Sequence, residues 1–212
     1  MRFKIYFIQN CTLKWTVSGG IKMKKSQKTA IYGLFAALIV VLQLLSYVVK
    51  IGTFNLSLVL IPIVLGAYLY GPKAGAIFGG VFGAVVVICC ITGLDAGGYI
   101  LFSASPVLTS LVCLIKGAAA GFVAGAIPKL LPKANNLLTI MLSAIAAPVV
   151  NTGLFIVSLL LFFKDILASW AGGTDLVTYI LVGLIGVNFL IELLINVIMA
   201  PSLLTVKNAL KK

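Results

Sequence analysis

Apolar residues run along this chain in long blocks separated by short polar breaks. A helix that crosses the hydrocarbon core needs about 20 mostly apolar residues, and six blocks approach or exceed that, at roughly 29–49, 57–71, 74–92, 106–127, 137–163 and 177–201. The breaks between them read "KIGTFN", "GPK", "TGLDAGGYILFSAS", "PKLLPKANN" and "KDILASWAGGTD". The second block is short, so it enters at an angle or is extended by the loop before it. The fifth is long enough to tilt, or to kink at Pro148. No internal repeat stands out. The pattern predicts an all-α integral membrane protein: a compact bundle of six transmembrane helices forming one domain over 23–212.

Composition agrees. The chain is 62% hydrophobic and 9% charged, against about a quarter charged for soluble domains. It has no His and only four acids, Asp95, Asp165, Asp175 and Glu192. Zinc chemistry built on His, and Ser/His or Cys/His catalysis, are thereby excluded. Of the four cysteines, Cys89, Cys90 and Cys113 sit in apolar runs and read as small hydrophobes, with no resident metal expected. The net charge of +12 would suit nucleic acid in a soluble protein. In a chain this apolar it predicts topology instead, with the bilayer as its environment and no nucleic-acid partner. With the N-terminus inside, Lys22, Lys24, Lys25, Lys28, Lys73, Lys129, Lys133, Lys207, Lys211 and Lys212 fall on the cytoplasmic side and only Lys50 and Lys164 outside. That is a strong positive-inside signal, and it places both termini in the cytoplasm.

Residues 1–22 fit this plan poorly. "FKIYFI" is too short for a signal-peptide core, and no small-residue cleavage site follows. The glycines of "SGGIKMKK" lie a few codons before Met23, where their codons can encode a purine-rich ribosome-binding site. Translation is therefore expected to start at Met23, with 1–22 a non-native or disordered leader. The alternative is an amphipathic leader using Phe3, Ile5, Phe7 and Trp15 at the membrane surface.

Small residues recur at helical spacing. Gly71, Gly75, Gly79 and Gly83 share one face of the third block, and Gly117, Gly121 and Gly125 one face of the fourth. Missing side chains let backbones approach, within the bundle or toward a partner. Ala30, Gly33 and Ala37 give the first block a similar stripe.

The polar residues inside these blocks are the candidates for chemistry. A lysine at the centre of a membrane helix costs roughly 2.5–3.5 kcal/mol on insertion scales, so Lys116 in "CLIKGAAAG" needs a reason. Ser105, Thr109, Cys113 and Lys116 trace one helix face down to mid-membrane. Asn151 and Ser158 lie on the fifth block, Asn188, Glu192 and Asn196 on one face of the sixth, and Gln43 and Tyr47 in the outer half of the first. Polar groups spread over several helices predict a central pocket open to the outside, with Lys116, Thr109, Asn151, Asn188 and Glu192 as candidate substrate-binding residues. Two readings compete with ligand contact: Lys116 paired with Glu192, and the asparagines in plain interhelical hydrogen bonds.

The stretches "LVLIPIVLGAYLYGPKAGA" (58–76) and "CLIKGAAAGFVAG" (113–125), with the small-residue first block, resemble the S components of energy-coupling factor (ECF) vitamin transporters over roughly residues 26–206. This resemblance implies a multi-pass protein of the bacterial plasma membrane that captures a vitamin or related micronutrient from outside. It implies no enzymatic activity and no cofactor of its own. The protein would dock on a transmembrane T component and two cytoplasmic ATPase subunits, which use the ATP of this ABC-type importer. The first-block stripe of Ala30, Gly33 and Ala37 stands nearest to the family's paired small residues that contact the T component. "LSLVLIPIVLGA" is similar to sequences assigned to pantothenate, and a carboxylate ligand suits Lys116. Another vitamin such as folate or riboflavin is the alternative substrate, although the acidic loop expected of riboflavin binders is absent. A stand-alone secondary carrier would show repeated halves or an ion site in broken helices, and neither is evident. A membrane enzyme would need more than one lysine and one glutamate at depth.

Overall fold

Glycine and proline at the edges of the apolar blocks decide where the helices stop. The computed structural model describes residues 25–48, 50–51, 54–55 and 58–209; the leader 1–22 and the expected start at Met23 lie outside the described residues, as does the side chain of Asn188. Helix α1 (Lys25–Val48) leads to a two-stranded antiparallel ribbon, β1 (Lys50–Ile51) and β2 (Phe54–Asn55), with Lys50 opposite Asn55. There follow α2 (Leu60–Tyr70), α3 (Pro72–Thr92), α4 (Ala96–Ala104), α5 (Pro106–Leu130), α6 (Asn136–Phe162) and α7 (Lys164–Ala171). A last helical run joins α8 (Leu176–Thr178), a π-helical segment at Tyr179–Ile185 and α9 (Gly186–Ala209).

Four helices among the described residues are long and apolar enough to cross a membrane: Ser26–Tyr47 of α1, then α3, α5 and α6. The chain is thus a multi-pass, all-α membrane protein. The second expected block is helical only over Leu60–Tyr70, about 16 Å at 1.5 Å per residue and roughly half the hydrocarbon thickness. Two of the expected breaks are themselves helical. "TGLDAGGYILFSAS" contains α4, and "KDILASWAGGTD" contains α7, which meets the Leu176–Gly183 segment at a bend of 86°.

The "YGPK" turn shows how sequence sets this geometry. Gly71 has φ 89°, a left-handed conformation that a side chain would strain, and its N–H closes α2 on the Ala67 carbonyl at 2.8 Å. Pro72 then opens α3, where its fixed φ suits the first turn and its missing N–H leaves nothing unpaired. At its other end α3 stops at Gly93, also left-handed (φ 76°).

The two glycine stripes mesh with each other. A Cβ added at Gly75 would strike the Gly121 carbonyl, one at Gly79 the Gly117 carbonyl, and one at Gly83 the Cys113 carbonyl oxygen at 2.5 Å. Gly125 abuts Pro72 in the same register. Each step forward on α3 is a step back on α5, so the helices run antiparallel with their backbones in contact. The expected stripes therefore serve packing within the chain. Beside this pair, Phe78 fills the core: its ring stacks on Phe35 of α1 at 5.1 Å and meets Tyr32 edge-on at 5.0 Å. Gly66 of α2 leaves room for that ring, since a Cβ there would lie 2.6 Å from the Phe78 Cδ2.

Candidate functional site

Beyond Gly83 the glycine contact ends, and a cavity of about 280 Å³ opens against α3 and α5. Helix α3 contributes Val86 and Cys90, and α5 contributes Thr109, Val112, Cys113 and Lys116. Asp95, Gly97, Gly98 and Leu101 come from the α3–α4 turn and α4. Phe155, Ser158, Leu159 and Phe163 come from the end of α6, and Trp170 from α7. The walls are aromatic and aliphatic, with a few convergent polar groups, as in small-molecule sites generally.

Thr109, Cys113 and Lys116 line the cavity together, as their helical steps of four and three predict. Pro106 starts α5 and leaves Ser105 as an extended cap outside the lining. The Lys116 ammonium lies over the Phe155 ring, 4.6 Å from its centroid. Such cation–π contacts recover part of the desolvation of a partly buried lysine. Thr109 is 2% exposed, and its hydroxyl oxygen has no hydrogen-bond partner among the described residues. A buried polar atom without a partner costs about 1–3 kcal/mol, which a ligand donor or acceptor would recover. Ser158 donates to the Leu154 carbonyl at 2.6 Å and keeps its lone pairs for a ligand.

The other two expected residues with described side chains stand apart. Asn151 lies one turn along α6 from Phe155 and outside the lining, and its side-chain oxygen is buried without a partner. Glu192 is buried on α9, also outside the lining, where Asn196 donates to its main-chain carbonyl at 2.9 Å. Glu192 feels the charge of Lys116, but among the described residues the two form no ion pair within 4.0 Å.

Among the lining residues that sequence reasoning missed, Asp95, Phe155 and Trp170 bring charge or large aromatic rings. Asp95 opens α4 as its N-cap, its Oδ1 accepting the Gly98 N–H at 2.8 Å. An Asp two residues after a glycine marks a helix start but not a place in a distant cavity. Phe155 sits with Asn151 and Ser158 at steps of four and three on one face of α6. Trp170 carries no local signal, because it reaches the cavity from α7, a short helix set off from α6 by the break at Phe163.

A multi-pass helical protein with a small, partly polar cavity between its helices is built to hold a small molecule within the membrane, as a transport or capture protein would. Residues 27–204 match the family described as the ECF transporter, substrate-specific component. The chain belongs to that family, and is thereby a vitamin-uptake S component, a multi-pass protein of the bacterial plasma membrane. It is also 27% identical over 191 residues to the "Pantothenic acid transporter PanT" of Lactococcus lactis subsp. cremoris, covering 86% of this chain and 94% of that protein. Family and relative alike are transporters rather than enzymes. No solved structure shows a significant match.

Proposed function

We propose that this S component captures pantothenate from outside the cell, with Lys116 receiving its carboxylate. The observation that carries the reading is Lys116 in the cavity lining, on the same helix face as the unpartnered Thr109 hydroxyl. Pantothenate joins one carboxylate to hydroxyl and amide groups, which such a lining accommodates. The similarity to a pantothenic acid transporter supports the same choice. At about 280 Å³ the cavity falls just below the usual span of ligand sites, roughly 300 to 1,000 Å³, and favours a compact acid over folate or riboflavin. Asn151 and Glu192, outside the lining, and Asn188 remain candidates for ligand contact.

In this reading the chain crosses the membrane six times with both termini in the cytoplasm. The short α2 and its preceding segment supply the second crossing, and the run from α8 to α9 the sixth. Delivery passes to a T component and two ATPase subunits. Ala30, Gly33 and Ala37 are all exposed, and a Cβ at Gly33 would meet nothing within 4 Å. The first-helix stripe is thus free to seat the T component.

Calorimetric titration of purified protein with pantothenate tests the substrate. Lys116→Ala is expected to weaken binding by roughly 30-fold to several thousand-fold, the span for truncating one partner of a buried charge pair. Lys116→Arg recovers only part, since a planar fork does not sit where a compact ammonium does. Unchanged affinity in a folded Lys116→Ala protein removes this lysine from the site. If the lysine instead serves Glu192, Lys116→Ala lowers the unfolding temperature and an added Glu192→Gln restores it.

A further inference from the structure

The cavity lining holds one fixed positive and one fixed negative side chain, Lys116 and Asp95. Lys116 lies ten residues into α5 from Pro106, about 15 Å along the helix, whereas Asp95 sits in the turn that leaves α3. Cys90 and Cys113 belong to the same lining.

Asp95 is held from three sides. Its Oδ1 accepts the Gly98 N–H at 2.8 Å, its Oδ2 accepts the Tyr47 hydroxyl at 3.4 Å, and its own N–H donates to the Cys89 carbonyl at 3.2 Å. Tyr47 is itself steadied by Gln43, whose amide donates to the phenol oxygen at 3.1 Å. The carboxylate therefore cannot swing away from an arriving ligand without breaking contacts to α1 and α4. Its two oxygens offer about four lone-pair directions and spend two, so acceptor capacity remains for a ligand hydroxyl or amide N–H.

We propose that Asp95, pinned by Gly98 and Tyr47, sets specificity by admitting ligands with a single anionic group and rejecting those with a second negative charge at the far end. The inference rests on the reading of Lys116 as the carboxylate's partner. With an anion at Lys116, the opposite end of the ligand meets Asp95. A neutral hydroxyl or amide there donates to it. A phosphate ester meets like charge in a cavity walled by Leu101, Phe155 and Trp170, where water screens poorly.

Asp95→Asn separates charge from structure. Asparagine caps a helix as well as aspartate does: its one oxygen keeps the Gly98 N–H, while its amide nitrogen faces Tyr47 as a donor to the phenol oxygen, so the charge is lost and the long Tyr47 bond reverses direction. The measurement is the ratio of Kd values for pantothenate and its phosphate monoester, by calorimetry on the full chain in detergent. The wild type is expected to bind the monoester about 100-fold more weakly than the parent, and Asp95→Asn to shrink that ratio at least about tenfold. On the wild type alone, the neutral dimethyl ester of the same phosphate should bind well above the monoester, which tests charge against size without any variant. A ratio unmoved in Asp95→Asn, or equal weakness of the charged and neutral esters, overturns this inference and leaves the pantothenate reading standing. A wild type that does not bind pantothenate overturns that reading, and the inference with it.

Discussion

The lone Thr109 hydroxyl makes opposite predictions for stability and binding. In the empty protein this oxygen is buried without a partner, at a cost of about 1–3 kcal/mol. Thr109→Val removes the unpaired group at nearly constant volume, so the ligand-free protein should unfold at the same or a higher temperature. Binding should fall by roughly 2- to 13-fold, the worth of one ordinary hydrogen bond. Unfolding scans with and without pantothenate read both effects. Loss of stability without loss of affinity would show that Thr109 has only a packing role. Residues of this kind were legible in the sequence because Thr109, Cys113 and Lys116 lie on one uninterrupted helix, where spacing alone fixes a shared face. Asp95 and Trp170 were not, because they reach the cavity from separate short segments whose return depends on tertiary folding.

At the level of elements, the meshed stripes of α3 and α5 allow a test between adjacent residues. Gly79→Ala would drive a methyl into the Gly117 carbonyl, whereas a Cβ at Gly80 meets nothing within 4 Å. The first change must push two backbones apart and should destabilise by about 1–3 kcal/mol or more. The second should be neutral or gain up to about 1 kcal/mol from helix propensity. Thermal unfolding in detergent distinguishes them, and equal behaviour would refute the close backbone contact. The glycine stripes announced this packing at the level of sequence, and the helix-forming parts of the long blocks were equally plain. Helices α4 and α7 were not, since nine and eight residues are too few to carry a membrane-length signal and both sit among glycines and polar residues that read as loop. The π-helical turn at Tyr179–Ile185 left no mark either, because the same apolar run serves an α-helix.

For the whole molecule, the separation of two faces matters most. The cavity is assembled from α3 to α7, while the Ala30, Gly33 and Ala37 stripe lies exposed on α1. Capture and coupling should therefore be damaged independently. Gly33→Leu is expected to bind pantothenate within about threefold of wild type, because Gly33 is exposed and a Cβ there meets nothing within 4 Å. Reconstituted with a T component and ATPases, the same variant should lose most ATP-driven uptake. Binding and uptake that fall together would show that this face serves folding instead.

The glycine contact between α3 and α5 has a further consequence for where a ligand can be held. It works like a zip fastener whose teeth are absent side chains, closed from Pro72 and Gly125 up to Gly83 and Cys113. Above the last tooth come Val86, Cys90, Thr109 and Val112, which have side chains and line the open space. On α3 the wall of the binding site thus begins where glycine stops recurring, while on α5 Lys116 reaches the cavity from beside Gly117. A related chain that shifted that position by one turn would move this wall of its cavity by about 5.4 Å, and so change the length of molecule it could hold.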